Sequence, residues 1–124
     1  MRALDLLEKL AHAHTEWVRR HKRIFIGPLA DRDEWELRLQ VVRALPLFTW
    51  TTRERKRVID MLVRDIEHPQ KFVRAWALDS LARFAERDAT LVPIVKRALA
   101  RFEASDSTAL KTRARHIRTR LGSA

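Results

Sequence analysis

Five histidines and sixteen acidic residues are the side chains of this chain suited to proton transfer or metal binding. Their spacing argues against both. His12 and His14 stand two apart, so a helix turns them to opposite sides. His14 and His21 share a helical face but lie about 10 Å apart along the axis, at a rise of about 1.5 Å per residue. Neither pair can hold one metal ion unaided. With His68 and His116 they read as satisfied or solvent-facing rings. The pairs Asp31/Asp33 and Asp60/Asp65 sit among Arg and Lys, where nothing favours a retained proton. There is no cysteine, hence no thiolate ligand and no disulfide. The chain also lacks a glycine-rich phosphate loop, a nucleophile elbow and a zinc-binding helix motif. The sequence therefore predicts a protein without catalytic residues, cofactor, metal or evident small-molecule substrate.

Binding chemistry is better represented. Lys and Arg number 26 against 16 Asp and Glu, a net charge of +10. Such a chain is drawn to phosphates and to acidic surfaces. Arg19, Arg20, Lys22 and Arg23 end the first predicted helix, where the helix dipole alone accounts for cations. Arg53, Arg55, Lys56 and Arg57 open a later helix, where the same dipole opposes them and another reason is needed. Lys111, Arg113, Arg115, Arg118 and Arg120 crowd the last helix with no acidic residue among them. Arg53, Arg55, Lys56, Arg57, Lys111, Arg115 and Arg118 are the candidate phosphate contacts of a nucleic-acid-binding module. Arginines that flank an apolar stripe can equally lie over the edge of a core.

The elements that must position these groups are helices. Two glycines and four prolines in 124 residues are too few for a turn-rich β-protein, and Ala, Leu, Arg, Glu and Lys are good helix formers. Apolar spacing predicts a first helix over 3–21, with Leu6, Leu7, Leu10, Trp17 and Val18 on its buried stripe. Gly27 and Pro28 then interrupt the chain, and 22–32 carries no clear element. A helix over 33–47 has Asp31 or Asp33 as cap, and Pro46 ends or bends it. The helix over 52–66 opens on Thr51-Thr52-Arg53-Glu54, a capping-box pattern, and uses Val58, Ile59, Leu62, Val63 and Ile66. The next, over 69–86, takes Pro69 at its first position and buries Phe72, Val73, Ala77, Leu81 and Phe84. Helices over 89–103, capped by Asp88, and over 107–121, on Leu110, Ala114, Ile117 and Leu121, complete the set. Trp50 is expected to pack at a junction between these units. The Met1 end does not read as a signal peptide, and no apolar run approaches the ~18 residues of a membrane span. A soluble cytoplasmic protein with no membrane contact is expected.

The sequence also matches itself after a shift of 36 residues. Leu37 falls on Val73, Arg38 on Arg74, Val41 on Ala77, Leu45 on Leu81, Phe48 on Phe84 and Ile66 on Phe102. One extra residue then brings Val73 onto Leu110 and Ala77 onto Ala114. The stretch from Pro69 to Leu81, PQKFVRAWALDSL, resembles the second-helix pattern of the HEAT-repeat family: a turn Pro or Asp, Val-Arg, then small residues and leucine. Asp33 to Arg38 echoes it, and Asp106 to Leu121 does so loosely, with Lys111 where the Arg would stand. The resemblance implies an all-α, short α-solenoid of about three antiparallel hairpins, near 1–50, 51–87 and 88–124. It implies second helices that line a concave face, and a structural ladder role for Arg38 and Arg74. It implies no single activity.

Trp76 lies off the apolar centre of its helix, beside Phe72, Asp79 and Arg83. On the implied concave face, the repeat offsets extend this flank to Glu36, Gln40 and Arg43, and to Arg113, His116 and Arg120. Aromatic and arginine residues are favoured binding anchors. Arg43, Trp76, Arg83, Arg113 and Arg120 are therefore the candidate partner-binding residues of a protein-interaction scaffold. In the other reading Trp76 packs on a neighbouring helix and the arginines are solvated. A nucleic-acid-binding module is the alternative function, and self-association through an exposed repeat end is compatible with either.

Overall fold

A computed structural model describes residues 22–122. The predicted helix over 3–21, with Trp17, Arg19, Arg20 and the histidines 12, 14 and 21, lies outside the described residues. Among the described residues there are six α-helices and no strand: α1 (Arg23–Ile26), α2 (Trp35–Ala44), α3 (Thr52–Asp65), α4 (Lys71–Ala85), α5 (Val92–Glu103) and α6 (Thr108–Gly122). Short 3-10 turns, Leu45–Leu47 and Ala89–Leu91, follow α2 and precede α5.

Each boundary has a local cause. The segment 22–32 forms the single turn of α1 and a tight return. The Gly27 N–H donates to the Arg23 carbonyl at 2.9 Å, and a Cβ added at Gly27 would stand 3.1 Å from that oxygen. Phe25 and Ala30 are buried by this return. α2 begins two residues later than the pattern predicts. Glu34 occupies its N-cap without a side-chain bond, so neither Asp31 nor Asp33 caps it. Asp31 instead accepts from Arg64 Nη1 at 3.1 Å. Pro46, which has no N–H to extend the ladder, tightens the end of α2 into the 3-10 turn.

The capping box of α3 forms as expected. Thr51 Oγ1 accepts from the Glu54 N–H at 3.2 Å, and Glu54 Oε1 accepts from the Thr51 N–H at 3.0 Å. At α4 the first helical position is Lys71, not Pro69, because Gln70 Oε1 accepts from the Phe72 N–H at 2.9 Å and sets the cap there. Asp88 Oδ1 accepts from the Thr90 N–H at 3.0 Å and so caps the 3-10 turn 89–91; α5 itself starts at Val92, three residues later than the pattern predicts, with Pro93 in its first turn.

α4 packs against α2, α3, α5 and α6, and α5 packs in turn on α6. Nine of its fifteen residues are therefore buried, including Ala75, Ala77, Ala82 and Ala85, whose small side chains admit close neighbours. The Ser80 hydroxyl donates to the Val42 carbonyl of α2 at 2.6 Å, a measure of that approach. Val41, Val42 and Leu45 meet Val58, Leu62, Leu78, Leu81, Val95, Leu99 and Ile117 in one core. Two expected stripe members stay outside: Val63 is 37% exposed and Phe72 42%.

Candidate functional site

Two buried carboxylates organise the arginines of this protein. Asp65, at the end of α3, accepts from Arg38 Nη2 at 2.5 Å, with both side chains 3% exposed. Arg38 Nη1 donates to the carbonyls of Leu29 and Ala30, each at 2.8 Å. Arg64 adds a contact to Asp65 Oδ1 at 3.2 Å and donates to the Ala30 carbonyl at 2.8 Å. The result is a clasp joining the return after α1 to α2 and α3. Arg74, one repeat on, donates through Nη1 to the carbonyls of His68 and Pro69, each at 2.9 Å. Lys111, at the third equivalent position, is exposed.

The second carboxylate is Asp79, in the middle of α4, with its side chain 1% exposed. Arg120 Nη1 lies 3.0 Å from Oδ1, Arg113 Nη1 3.6 Å from Oδ1, and Arg83 Nε 3.4 Å from Oδ2. Arg120 Nη2 also donates to the Asp79 carbonyl at 3.3 Å, and Arg120 Nε stands 3.7 Å from Glu86. Asp79 Oδ1 has cations near it but no well-aligned hydrogen bond. One turn away, two guanidinium groups stand over the half-buried Trp76 ring: Arg43 of α2 at 4.8 Å and Arg113 of α6 at 4.2 Å from its centroid. Cation–π contacts of this kind are worth about 0.5–1 kcal/mol when exposed and more when desolvated.

The five residues predicted from the sequence thus converge from three helices. Their setting differs from a row of solvated anchors. Arg113 and Arg120 reach inward to Asp79, with side-chain exposures of only 24% and 28%, while Arg83 remains 53% exposed. Sequence reasoning placed Asp79 beside Trp76 without giving it a role. Its spacing of four from Arg83 was the available local signal; its contact with Arg120, forty-one residues on, had none. Of the other strip positions, Glu36 and His116 are exposed, and Gln40 is buried with Oε1 unpartnered.

A hollow of 330 Å³ opens beside this cluster, lined by Arg43, Leu47, Trp76, Asp79 and Arg83 among others. A second hollow of 580 Å³ shares Pro46 and Arg83 with it. That one continues past Phe84, Phe48 and Trp50 to Arg55 and Arg87. Trp50 packs as expected at the junction: its Nε1 donates to the Leu45 carbonyl at 2.8 Å, and its ring meets Phe48 edge-on at 5.6 Å.

The candidate phosphate contacts divide into two groups. Arg55 bonds Asp88 at 2.8 Å and lies over Phe84, Arg57 donates to the Ile26 carbonyl at 2.6 Å, and Arg118 is forked onto Glu103. These contacts supply the reason for two of the cations that crowd the α3 N-terminus. Arg53, Lys56, Lys111 and Arg115 are exposed. Their two helices, α3 and α6, both pack on α4.

The clear proton shifts all hold carboxyls ionised. The Thr51 N–H, then Lys22 and Arg23, pull Glu54 down to about 2. The Thr90 side chain and then Arg55 lower Asp88, and Arg118 lowers Glu103. Among the described residues no group of three His, Cys, Asp or Glu side chains is placed to hold a metal ion. No helix of the described residues is long and apolar enough to cross a membrane. Compared with family models, with curated proteins and with solved structures, the chain finds no match.

Proposed function

We propose that this chain is a short HEAT-like α-solenoid that acts as a non-catalytic binding module. In this reading α3/α4 and α5/α6 are successive hairpins, and α2, α4 and α6 are the second helices of their repeats. A protein partner lies along them, over Trp76. The observation that carries the reading is the convergence of Arg43, Trp76, Arg83 and Arg113, from three separate helices, beside an open hollow. Tryptophan and arginine are over-represented among residues that dominate interface energies. The expected compartment is the cytoplasm.

The test is affinity capture with the wild-type chain, with Trp76→Ala and with Leu47→Ser. Leu47 is 39% exposed, so its replacement leaves the core intact. A partner retained by the wild type and lost by both variants supports the reading. Equal retention by all three sinks it. A second reading, nucleic-acid binding, rests on Arg53, Lys56, Lys111 and Arg115, which are exposed. Titration with a labelled duplex and an RNA strand at two salt concentrations separates the two. Tight binding that falls steeply with salt marks phosphate contacts.

A further inference from the structure

We propose that the groove made by the two neighbouring hollows that share Pro46 and Arg83 as lining takes an acidic, partly apolar peptide segment of the partner. This rests on the protein-binding reading above and names the chemistry of the contact.

Charge is the first ground. The carboxylates near the groove are already matched: Asp79 by Arg113 and Arg120 of α6, and Asp88 by Arg55. Glu86 has Arg120 at 3.7 Å. Arg83 and Arg87 are left as the exposed cations of the groove wall. Arg83 touches Asp79 only at 3.4 Å, and Asp79 has two other cations, so Arg83 can turn outward at small cost. A guanidinium fork suits a carboxylate, which it binds through two parallel hydrogen bonds.

The second ground is the apolar part of the wall. Leu47 is exposed, and Phe84 and Trp50 are half-buried. These offer contact area for leucine-like or aromatic side chains between the acidic ones. The third ground separates a peptide from a single nucleic-acid strand. Such strands bind by stacking bases on aromatic faces. Here three of the four large rings along the groove already hold a cation, and the fourth, Phe48, packs on Phe25 and Trp50: Trp76 has Arg43 and Arg113, Trp50 has Lys22, and Phe84 has Arg55. A base would have to compete with those contacts, whereas a carboxylate adds to a guanidinium without removing it from a ring.

The experiment is fluorescence anisotropy with a short labelled peptide that alternates glutamate with leucine and phenylalanine. A peptide with glycine in place of the apolar residues and a labelled oligothymidine serve as comparisons. The proteins are the wild type, Arg83→Glu/Arg87→Glu, and Lys96→Glu/Arg97→Glu, which makes the same charge change at exposed positions of α5 away from the groove. Circular dichroism and melting confirm that each is folded. Should the groove double variant fail to fold, Arg87→Glu alone carries the test, since Arg87 is exposed. The expected result is binding by the wild type that weakens by about tenfold or more in the groove variant and less than about twofold in the other. The glycine peptide should bind more weakly. Equal weakening in both variants, no binding at low salt, or tighter oligothymidine binding through the same arginines each overturns the proposal. If the peptide fails but Trp76→Ala still loses a captured protein, only the acidic-peptide chemistry falls. If both fail, the protein-binding reading falls with it.

Discussion

Asp65 and Asp79 are both buried carboxylates met by arginine, yet they are built for different ends. Asp65 forms a closed pair with Arg38, which is equally buried and also holds two backbone carbonyls, so most of the hydrogen-bonding capacity of that guanidinium is used inside the fold. Asp79 has an open cluster instead: three arginines reach it at 3.0 to 3.6 Å, all more exposed than Arg38. Both carboxylates border a hollow, of 550 Å³ at Asp65 and 330 Å³ at Asp79, so the difference lies in how deeply the arginines are held. A closed pair fixes the relation of two elements. An open cluster leaves guanidinium groups able to serve a second partner. The contrast separates a residue that maintains the fold from a surface that can bind.

The strongest way to break this contrast is Arg38→Met. It leaves Asp65 buried with only Arg64 beside it, and uncompensated buried charges cost about 3–5 kcal/mol. Because Arg64 remains, the lower figure is expected, a loss of about 3 kcal/mol in urea unfolding. A loss under about 1 kcal/mol would show that the clasp contributes no more than a surface ion pair. Next is Asp79→Asn. The cations it leaves behind are partly solvated, so a loss of about 1–2 kcal/mol is expected. A cost matching that of Arg38→Met would make Asp79 a closed pair as well and remove the distinction.

A smaller effect sharpens the comparison with a third carboxylate, Glu54, held chiefly by a backbone N–H. Glu54→Gln keeps an oxygen for the Thr51 N–H but removes the charge facing Lys22, Arg23 and the helix N-terminus, and should lower stability by about 1 kcal/mol at neutral pH. The folded value lies near 2 against an ordinary 4.5, so the ionised form is favoured by folding. Its contribution is fully present above pH 4.5 and is lost as the pH falls toward 2. The gap between wild type and variant should therefore close over that interval. A gap that persists at pH 2 would show that the charge is not what the cap uses.

Much of this was legible in the residues. The α3 capping box and the core roles of Val41, Val58, Leu81 and Ile117 follow from pattern and are in place, whereas Asp88 caps the 3-10 turn 89–91 rather than α5. The 36-residue offset aligned Arg38 with Arg74, and both do hold the carbonyls of the turn ahead of their helix. The cap of α2 was misread, since Asp31 and Asp33 look alike in sequence while Arg64, more than thirty residues away, draws Asp31 elsewhere. Pro69 stands two residues ahead of the first helical position because the Gln70 side chain, a less usual cap, accepts from the Phe72 N–H.

By itself the sequence determined that the described residues are helical, where five of their six helices lie to within a few residues, that the charge is basic, and which side of α4 Trp76 and Arg83 share. These are properties of a single helix, set by spacing and propensity. Only the tertiary structure decided which arginines are engaged and which remain on the surface. It also decided that Val63 and Phe72 stay exposed, and that Asp79 as well as Trp76 receives the arginines of α6. The angular position of a side chain is fixed by its own helix, but burial and pairing depend on which other helix covers it. That depends on packing between segments dozens of residues apart, which no local period records.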